Sequence, residues 1–297
     1  MSDTLAGILD APKPPALFIG NGINRHRSVG GHTGWENLLE QLAKSQGMTL
    51  TERQLEEMSK TEVFDILDLA RPKEDRASLQ REFCNLMKAW KPKEHHRKIV
   101  DWASRHSAPI ITVNFDQNLS GSIGARLFLG EPSFTDFYPW GSYYSSREID
   151  APISNFAIWH PHGMVRYSRS IRLGLTHYMG SVQRARLMLY GKDGLRAYAN
   201  NESSGWRGEN TWLAPIFFAP LLIFGFGLGK DESFLRWLFL ERAKFHKIRP
   251  DWRQPSWYVT NDSTDDERRG VFFKALGIEL VNAKNYDEIY ENAAWNS

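Results

Sequence analysis

Residues 14–35 read PPALFIGNGINRHRSVGGHTGW, and the first nine of them decide the fold class. ALFIGNG (16–22) is an apolar run ending in two closely spaced glycines, the pattern of a strand buried on both faces that turns sharply at its carboxyl end. Gly20 and Gly22 let the backbone turn tightly and come close to a phosphate or ribose, with amide hydrogens and the Arg25 side chain available to anions. Arg25 stands where the third glycine of GxGxxG would be, so the common dinucleotide fingerprint is absent. A plain strand-to-loop turn is the bland alternative at this point.

Five further runs have the same character: PIITVNFD (109–116), NFAIWHPHG (155–163), PLLIFGFGLG (220–229), SWYVTND (256–262) and GIELV (277–281). Helical patterns separate them. Trp35, Leu38, Leu39 and Leu42 recur at spacings of three and four, and Thr33 with Glu36 reads as a capping box before them. Strands alternating with helices predict an α/β fold, a Rossmann-like parallel sheet of about six strands flanked by helices, within one domain spanning 1–297. Residues 36–105 and 165–215 are too long for minimal crossovers and read as helical insertions forming a subdomain. ANNESSGWRGEN (199–210) reads as a mobile loop or lid.

The 297 residues, 41% hydrophobic, can bury a large core. Thirty-seven basic against 35 acidic residues give a net charge of +2 and no general attraction to nucleic acid or anionic membrane. The single cysteine, Cys84, excludes disulfides within the chain and cysteine zinc clusters, and it sits in a helical run as a small apolar residue. The N-terminus has neither a basic n-region nor a long apolar h-region, so a cytoplasmic location is expected. NTWLAPIFFAPLLIFGFGLG (210–229) is uncharged and about as long as a membrane span, but its prolines and glycines divide it into a short helix, a break near Pro220 and a strand.

In an open parallel sheet ligands bind beyond the carboxyl ends of the strands, where Asn114, Asp116, His162 and Asp231 all fall. TVNFD puts Asn114 and Asp116 on one side of a strand end by the period of two. HPHG suggests a metal site through His160 and His162, with Asp116 as a helper, but His95, His96 and His106 lie elsewhere and a full ligand shell is hard to assemble. GFGLGKDE is no phosphate loop of the ATPase type, because Asp231 follows the lysine and the glycine spacing is wrong. Asp231 and Glu232 open an apolar-faced helix through Phe234, Leu235, Leu238 and Phe239, where Asp231 serves as N-cap or faces a ligand. GxSxG is absent, so covalent acyl transfer is unsupported.

Taken in order, GNGIN, ITVNFD, WHPHG and FGFGLGKDESFLRWL resemble the signature blocks of the sirtuin-like superfamily, specifically its bacterial NAD-hydrolysing defence branch. The resemblance spans residues 16 to about 240, and each block is short. It implies that Asn114 and His162 are the catalytic pair. Gly20, Asn21, Gly22, Asn24, Arg25, Asp116, Gly163, Gly225, Phe226, Gly227 and Asp231 would hold NAD, which is the substrate, with no metal. Deacylase-type sirtuins carry a four-cysteine zinc module, a G-A-G-x-S turn and a P-D-F-R stretch; this chain has one cysteine, Asn24 at the serine position and no P-D-F-R. NAD hydrolysis in abortive infection against phage is therefore the expected function, and protein deacylation a weaker one. An NAD-binding regulatory or scaffold subunit with little turnover is the other reading. Control of such an enzyme implies a homo-oligomer, a HerA-type hexameric ATPase or a short Argonaute-like partner, with the aromatic-rich helical segments as candidate interfaces.

Overall fold

The computed structural model describes residues 4–28, 33–71, 76–130, 138–229, 232–262 and 264–297. A short helix α1 (Leu5–Leu9) precedes strand β1 (Ala16–Ile19), which turns directly into α2 (Gly22–Arg25). Helices α3 (Trp35–Ser45), α4 (Glu52–Glu57), α5 (Lys60–Leu69), α6 (Arg76–Leu86) and α7 (Glu94–Arg105) follow, then β2 (Ile110–Thr112) and α8 (Asn118–Ser122). Strands β3 (Arg126–Phe128), β4 (Tyr143–Ser145) and β5 (Ile158–Trp159) lead to α9 (Leu175–Tyr190), α10 (Leu195–Ala199) and α11 (Leu213–Phe218). The chain closes with β6 (Leu221–Phe224), α12 (Ser233–Ile248), β7 (Ser256–Thr260), α13 (Asp265–Leu276), β8 (Glu279–Asn282) and α14 (Tyr286–Tyr290).

The eight strands form one sheet in the order β3-β4-β5-β2-β1-β6-β7-β8. From β5 to β8 every pairing is parallel, and these six strands coincide with the six apolar runs. The sheet is nevertheless larger than the expected six strands, because β3 and β4 extend it antiparallel beyond β5. Each of the two is only three residues long, and β3 is exposed or half-buried along its length, so neither leaves a continuous apolar run. The central strand β1 pairs Leu17 with Ile110 on one side and with Leu222 on the other. Successive connections run outward from β1 through β2 to β5, then return to the other side for β6, β7 and β8. The direction of winding thus reverses between β1 and β6.

Side chains of β1 alternate between two cores. Ala16 and Phe18 join Ile111, Leu221, Ile223, Phe217, Leu235 and Leu238, while Leu17 and Ile19 join Ile110, Leu222, Phe224, Trp102 and Trp295. Burial on both faces is why these runs show no polar alternation. A third core gathers Leu38, Leu39 and Leu42 with Phe64, Phe83, Phe115, Ile171 and Leu173, whereas Ala185, Met188, Leu189, Trp206 and Trp212 of the second insertion belong to the first core with the sheet.

Two local expectations are corrected, and the division of residues 210–229 into a short helix and a strand is observed. Thr33 does not cap α3: Gly34 occupies the cap position without a side-chain bond, and the buried Thr33 hydroxyl has no partner among the described residues. The Thr33 carbonyl instead accepts from Asn21 Nδ2 at 2.6 Å, which starts the helix one residue later. The 199–210 tract is not a free lid, since Trp206 is buried against Phe217 and Phe218 and its indole N–H donates to the Met188 carbonyl. Helix α11 ends at Phe218 and β6 begins after Pro220; among the described residues no helix is long and apolar enough to cross a membrane.

Burial holds the imidazoles of His96, His160 and His246 neutral, pushing their pKa values down to about 3, about 4 and about 4. An unfolded chain binds these protons near pH 6.5, so the stability is fully present above that value and is lost as pH falls toward 4. At pH 5 the loss is about 2 kcal/mol for each residue. Urea unfolding midpoints should be flat from pH 8 to 7 and drop steeply between pH 6.5 and 5; an unchanged midpoint at pH 5 contradicts this assignment.

Candidate functional site

The site begins where β1 and β6 turn against each other. A Cβ on Gly20 would lie 2.3 Å from the Gly225 carbonyl oxygen and 2.5 Å from Phe226 Cα, and one on Gly22 would lie 2.6 Å from Gly225 Cα. Gly225 has φ +63° and accepts from the Gly22 N–H at 2.8 Å. Both glycines of the first turn are therefore required by the second turn, a constraint that sequence spacing alone does not show.

The carbonyls of the β6 turn are held from inside the protein. Phe226 O accepts from the Tyr258 hydroxyl at 2.9 Å, Gly227 O from the Arg269 guanidinium, and Leu228 O from Arg236 at 2.9 Å. Leu228 is buried and adopts φ +43°, an uncommon conformation for a branched side chain. The amide hydrogens of Asn21, Phe226, Gly227 and Leu228 take no partner among the described residues. Such a set of unsatisfied amides beside two turns is a ready anion site.

Beneath the turn, Asn24 is a buried hub with all four hydrogen-bonding positions used. Its amide donates to Asn21 Oδ1 at 2.9 Å and to Asp116 Oδ2 at 2.8 Å. Its carbonyl accepts from Asn118 Nδ2 at 2.9 Å and from His96 Nε2 at 3.1 Å. His96 Nδ1 accepts the Lys93 N–H, so Nε2 carries the proton. Burial raises the Asp116 carboxyl above its ordinary pKa, opposed by bonds from the Asn118 N–H and Asn24.

The other wall comes from β2 and β5. Asn114 Nδ2 reaches the Gly20 carbonyl at 3.3 Å, and the Asn114 carbonyl accepts from His160 Nδ1 at 2.8 Å. His160 is fully buried and faces Asn114 rather than the crevice. Two residues on, His162 Nε2 meets Glu232 Oε2 at 3.3 Å, its Nδ1 is buried without a partner among the described residues, and Tyr178 packs edge-on against its ring. Gly163 makes the intervening turn possible: φ is +93°, and a Cβ there would lie 2.3 Å from the Ser170 carbonyl oxygen.

These elements enclose a crevice of about 470 Å³, within the usual range for small-molecule and cofactor sites. Asn21, Gly22, Arg25, Asn114, Asp116, His162, Gly225, Phe226 and Gly227 line it. Gly20, Asn24 and Gly163 do not; they shape the turns behind it. Asp231 lies outside the described residues. Sequence reading missed Glu232 as the partner of His162, the β7 end at Thr260 and Asp262, Tyr290, and the helical wall of Trp35, Lys60 and Trp90. Thr260 and Asp262 follow an apolar run in the same manner as Asn114 and Asp116, so the signal was present there; the helical wall carries none.

No protein-family model matches the sequence, and no curated protein matches it.

Proposed function

We propose that the chain cleaves NAD to nicotinamide and ADP-ribose in this crevice. The observation that carries the reading is the set of amides of Asn21, Phe226, Gly227 and Leu228, without partners among the described residues and with Arg25 beside them, at the point where the winding reverses between β1 and β6. Without β3 and β4, the order β5-β2-β1-β6-β7-β8 is that of Rossmann-like doubly wound sheets, which take a dinucleotide pyrophosphate at that reversal. The resemblance of the GNGIN, ITVNFD and WHPHG blocks to NAD-hydrolysing sirtuin-like proteins supports the same substrate.

Cleavage breaks the bond between ribose C1′ and the pyridinium nitrogen. The bonding electrons pass to the ring, nicotinamide leaves neutral, and no general acid is needed. Water then bonds to C1′ and loses its proton. Asn114 and Asp116, buried at the base of the crevice, position the nicotinamide ribose, and His162 orients the water or a ribose hydroxyl. Glu232 orients His162 by accepting from Nε2. Glu232→Gln should lower turnover by about 10-fold or more, but less than loss of the imidazole; equal NADase rates for variant and wild type would remove Glu232 from this role.

An abortive-infection role belongs to the same proposal, with activity controlled by self-association or a partner such as a HerA-type ATPase or a short Argonaute-like protein. Exposed Leu175, Met179, Leu187 and Tyr190 on α9 support a contact surface. A non-catalytic NAD-binding regulator is the second reading, favoured by one observation: Nε2 of His162 is engaged by Glu232 and Nδ1 is buried. Nicotinamide release from NAD by the purified chain, with Asn114→Ala as control, separates the two. Protein deacylation would instead require an acyl-peptide for any release.

A further inference from the structure

A second cluster of chemistry-bearing side chains lies behind the crevice, where α2, α7 and α14 meet. His26 follows Arg25 at the end of α2, His95 is in the first turn of α7, and Asp287 and Glu291 lie within and just after α14. His26 and His95 are buried. His26 Nε2 is 3.4 Å from Glu291 Oε1 and 3.5 Å from Asp287 Oδ1, and His95 Nδ1 is 4.0 Å from Glu291 Oε1. The His26, His95 and Glu291 ligand atoms all fall within 4.8 Å of one another.

The tautomer of His95 is fixed. Its Nε2 lies 2.8 Å from the Ile23 carbonyl oxygen, which can only accept, so Nε2 carries the hydrogen and a neutral His95 turns the bare lone pair of Nδ1 toward Glu291. That lone pair takes no hydrogen bond among the described residues, and Glu291 Oε1 beside it has His26 Nε2 at 3.4 Å and Arg27 Nε at 3.5 Å. A metal-ligating histidine commonly donates its other N–H to a backbone carbonyl in this way.

We propose that His26 Nε2, His95 Nδ1 and Glu291 form a three-residue divalent-metal site, suited to Zn²⁺, that clamps the glycine-turn helix α2 to α7 and the end of α14. Ligands 2.0–2.1 Å from a tetrahedral zinc are about 3.3–3.4 Å apart. The 3.4 Å between His26 and Glu291 meets that spacing, and the 4.0 Å between His95 and Glu291, with the two imidazole nitrogens within 4.8 Å of each other, closes to it by contraction around the ion. The cations nearby leave the site room. Lys98 is 3.9 Å from Glu291 Oε2, and Arg27, 3.5 Å from Glu291 Oε1 and 3.7 Å from Asp287 Oδ1, is a largely exposed side chain that can swing away as an ion enters. The role of the metal is structural and does not depend on the NAD reading: Tyr290, beside Glu291, packs on Gly22 and Gly225, so the clamp sets the floor of the crevice whatever it binds.

Full-length protein stripped with chelator should take up one equivalent of Zn²⁺ in calorimetric titration and raise its melting temperature. Co²⁺ at the same site should give the intense visible bands of tetrahedral coordination. Glu291→Gln and His95→Gln should each weaken uptake by at least about 10- to 100-fold. His106→Ala, just beyond the end of α7, should bind as wild type does. Failure of the wild type to take up stoichiometric Zn²⁺ would overturn the assignment. Undiminished uptake by His95→Gln together with Glu291→Gln would overturn it equally, because the metal would then sit elsewhere.

Discussion

Replacing His162 by alanine is expected to lower nicotinamide release from NAD by at least about 100-fold, within the range that a positioned general base contributes. The loss should appear in kcat with the Kd for NAD little changed, because the amides of Asn21, Phe226, Gly227 and Leu228 and the Arg25 guanidinium remain in place. His162 occupies a wall between Tyr178 and Phe234 and its imidazole bonds only to Glu232 among the described residues, so its removal opens a small cavity without breaking a buried side-chain network. His162→Asn keeps more of that volume and should be equally inactive. Asn114→Ala should lose turnover to a similar degree, with a larger effect on KM, since Asn114 also ties β2 to the Gly20 carbonyl. Parallel kinetics and equilibrium binding on the variants check both expectations; a His162→Ala enzyme with wild-type kcat would remove the residue from the chemistry.

The largest effect on stability should come from Gly20→Ala. The new methyl carbon would lie 2.3 Å from the Gly225 carbonyl oxygen and 2.5 Å from Phe226 Cα. Both are backbone atoms of the adjoining turn, so no side-chain rotation relieves the overlap and β1 and β6 must separate at their ends. Overpacking of this kind costs about 3 kcal/mol or more. Gly227→Ala is the control: it lines the same crevice, but a Cβ there meets nothing within 4 Å. Its urea midpoint should match that of wild type while that of Gly20→Ala falls sharply. Equal midpoints for the two variants would mean that the turns are not braced against each other.

Legibility in the sequence followed burial. Five of the six parallel strands were readable because both faces of each are covered, which leaves uninterrupted apolar runs such as Leu221–Phe224. The edge strand β8 was marked by the apolar Ile278, Leu280 and Val281, although Glu279 and Asn282 are exposed. The β3–β4 extension was not, because half-buried three-residue segments such as Arg126–Phe128 carry neither a run nor an alternation long enough to register. In the crevice, Asn114, Asp116 and His162 stood out as polar residues directly after apolar strands. Asn24 was visible as a turn residue, but its role as a four-bond hub depends on Asp116, Asn118 and His96, which only the fold brings to it. Glu232 was legible only as part of a helix start, since its pairing with His162 crosses 70 residues. The His26, His95 and Glu291 cluster spans 265 positions of sequence, with no local spacing to mark it.

The central claim is tested most directly by following nicotinamide and ADP-ribose released from NAD by the purified full-length chain, alone and at concentrations that favour self-association, beside Asn114→Ala. The proposed chemistry predicts equal amounts of the two products over many turnovers by the wild type and at least about 100-fold less from the variant. NAD that binds saturably yet remains intact under every condition would contradict hydrolysis and leave the crevice as the binding site of a regulatory subunit.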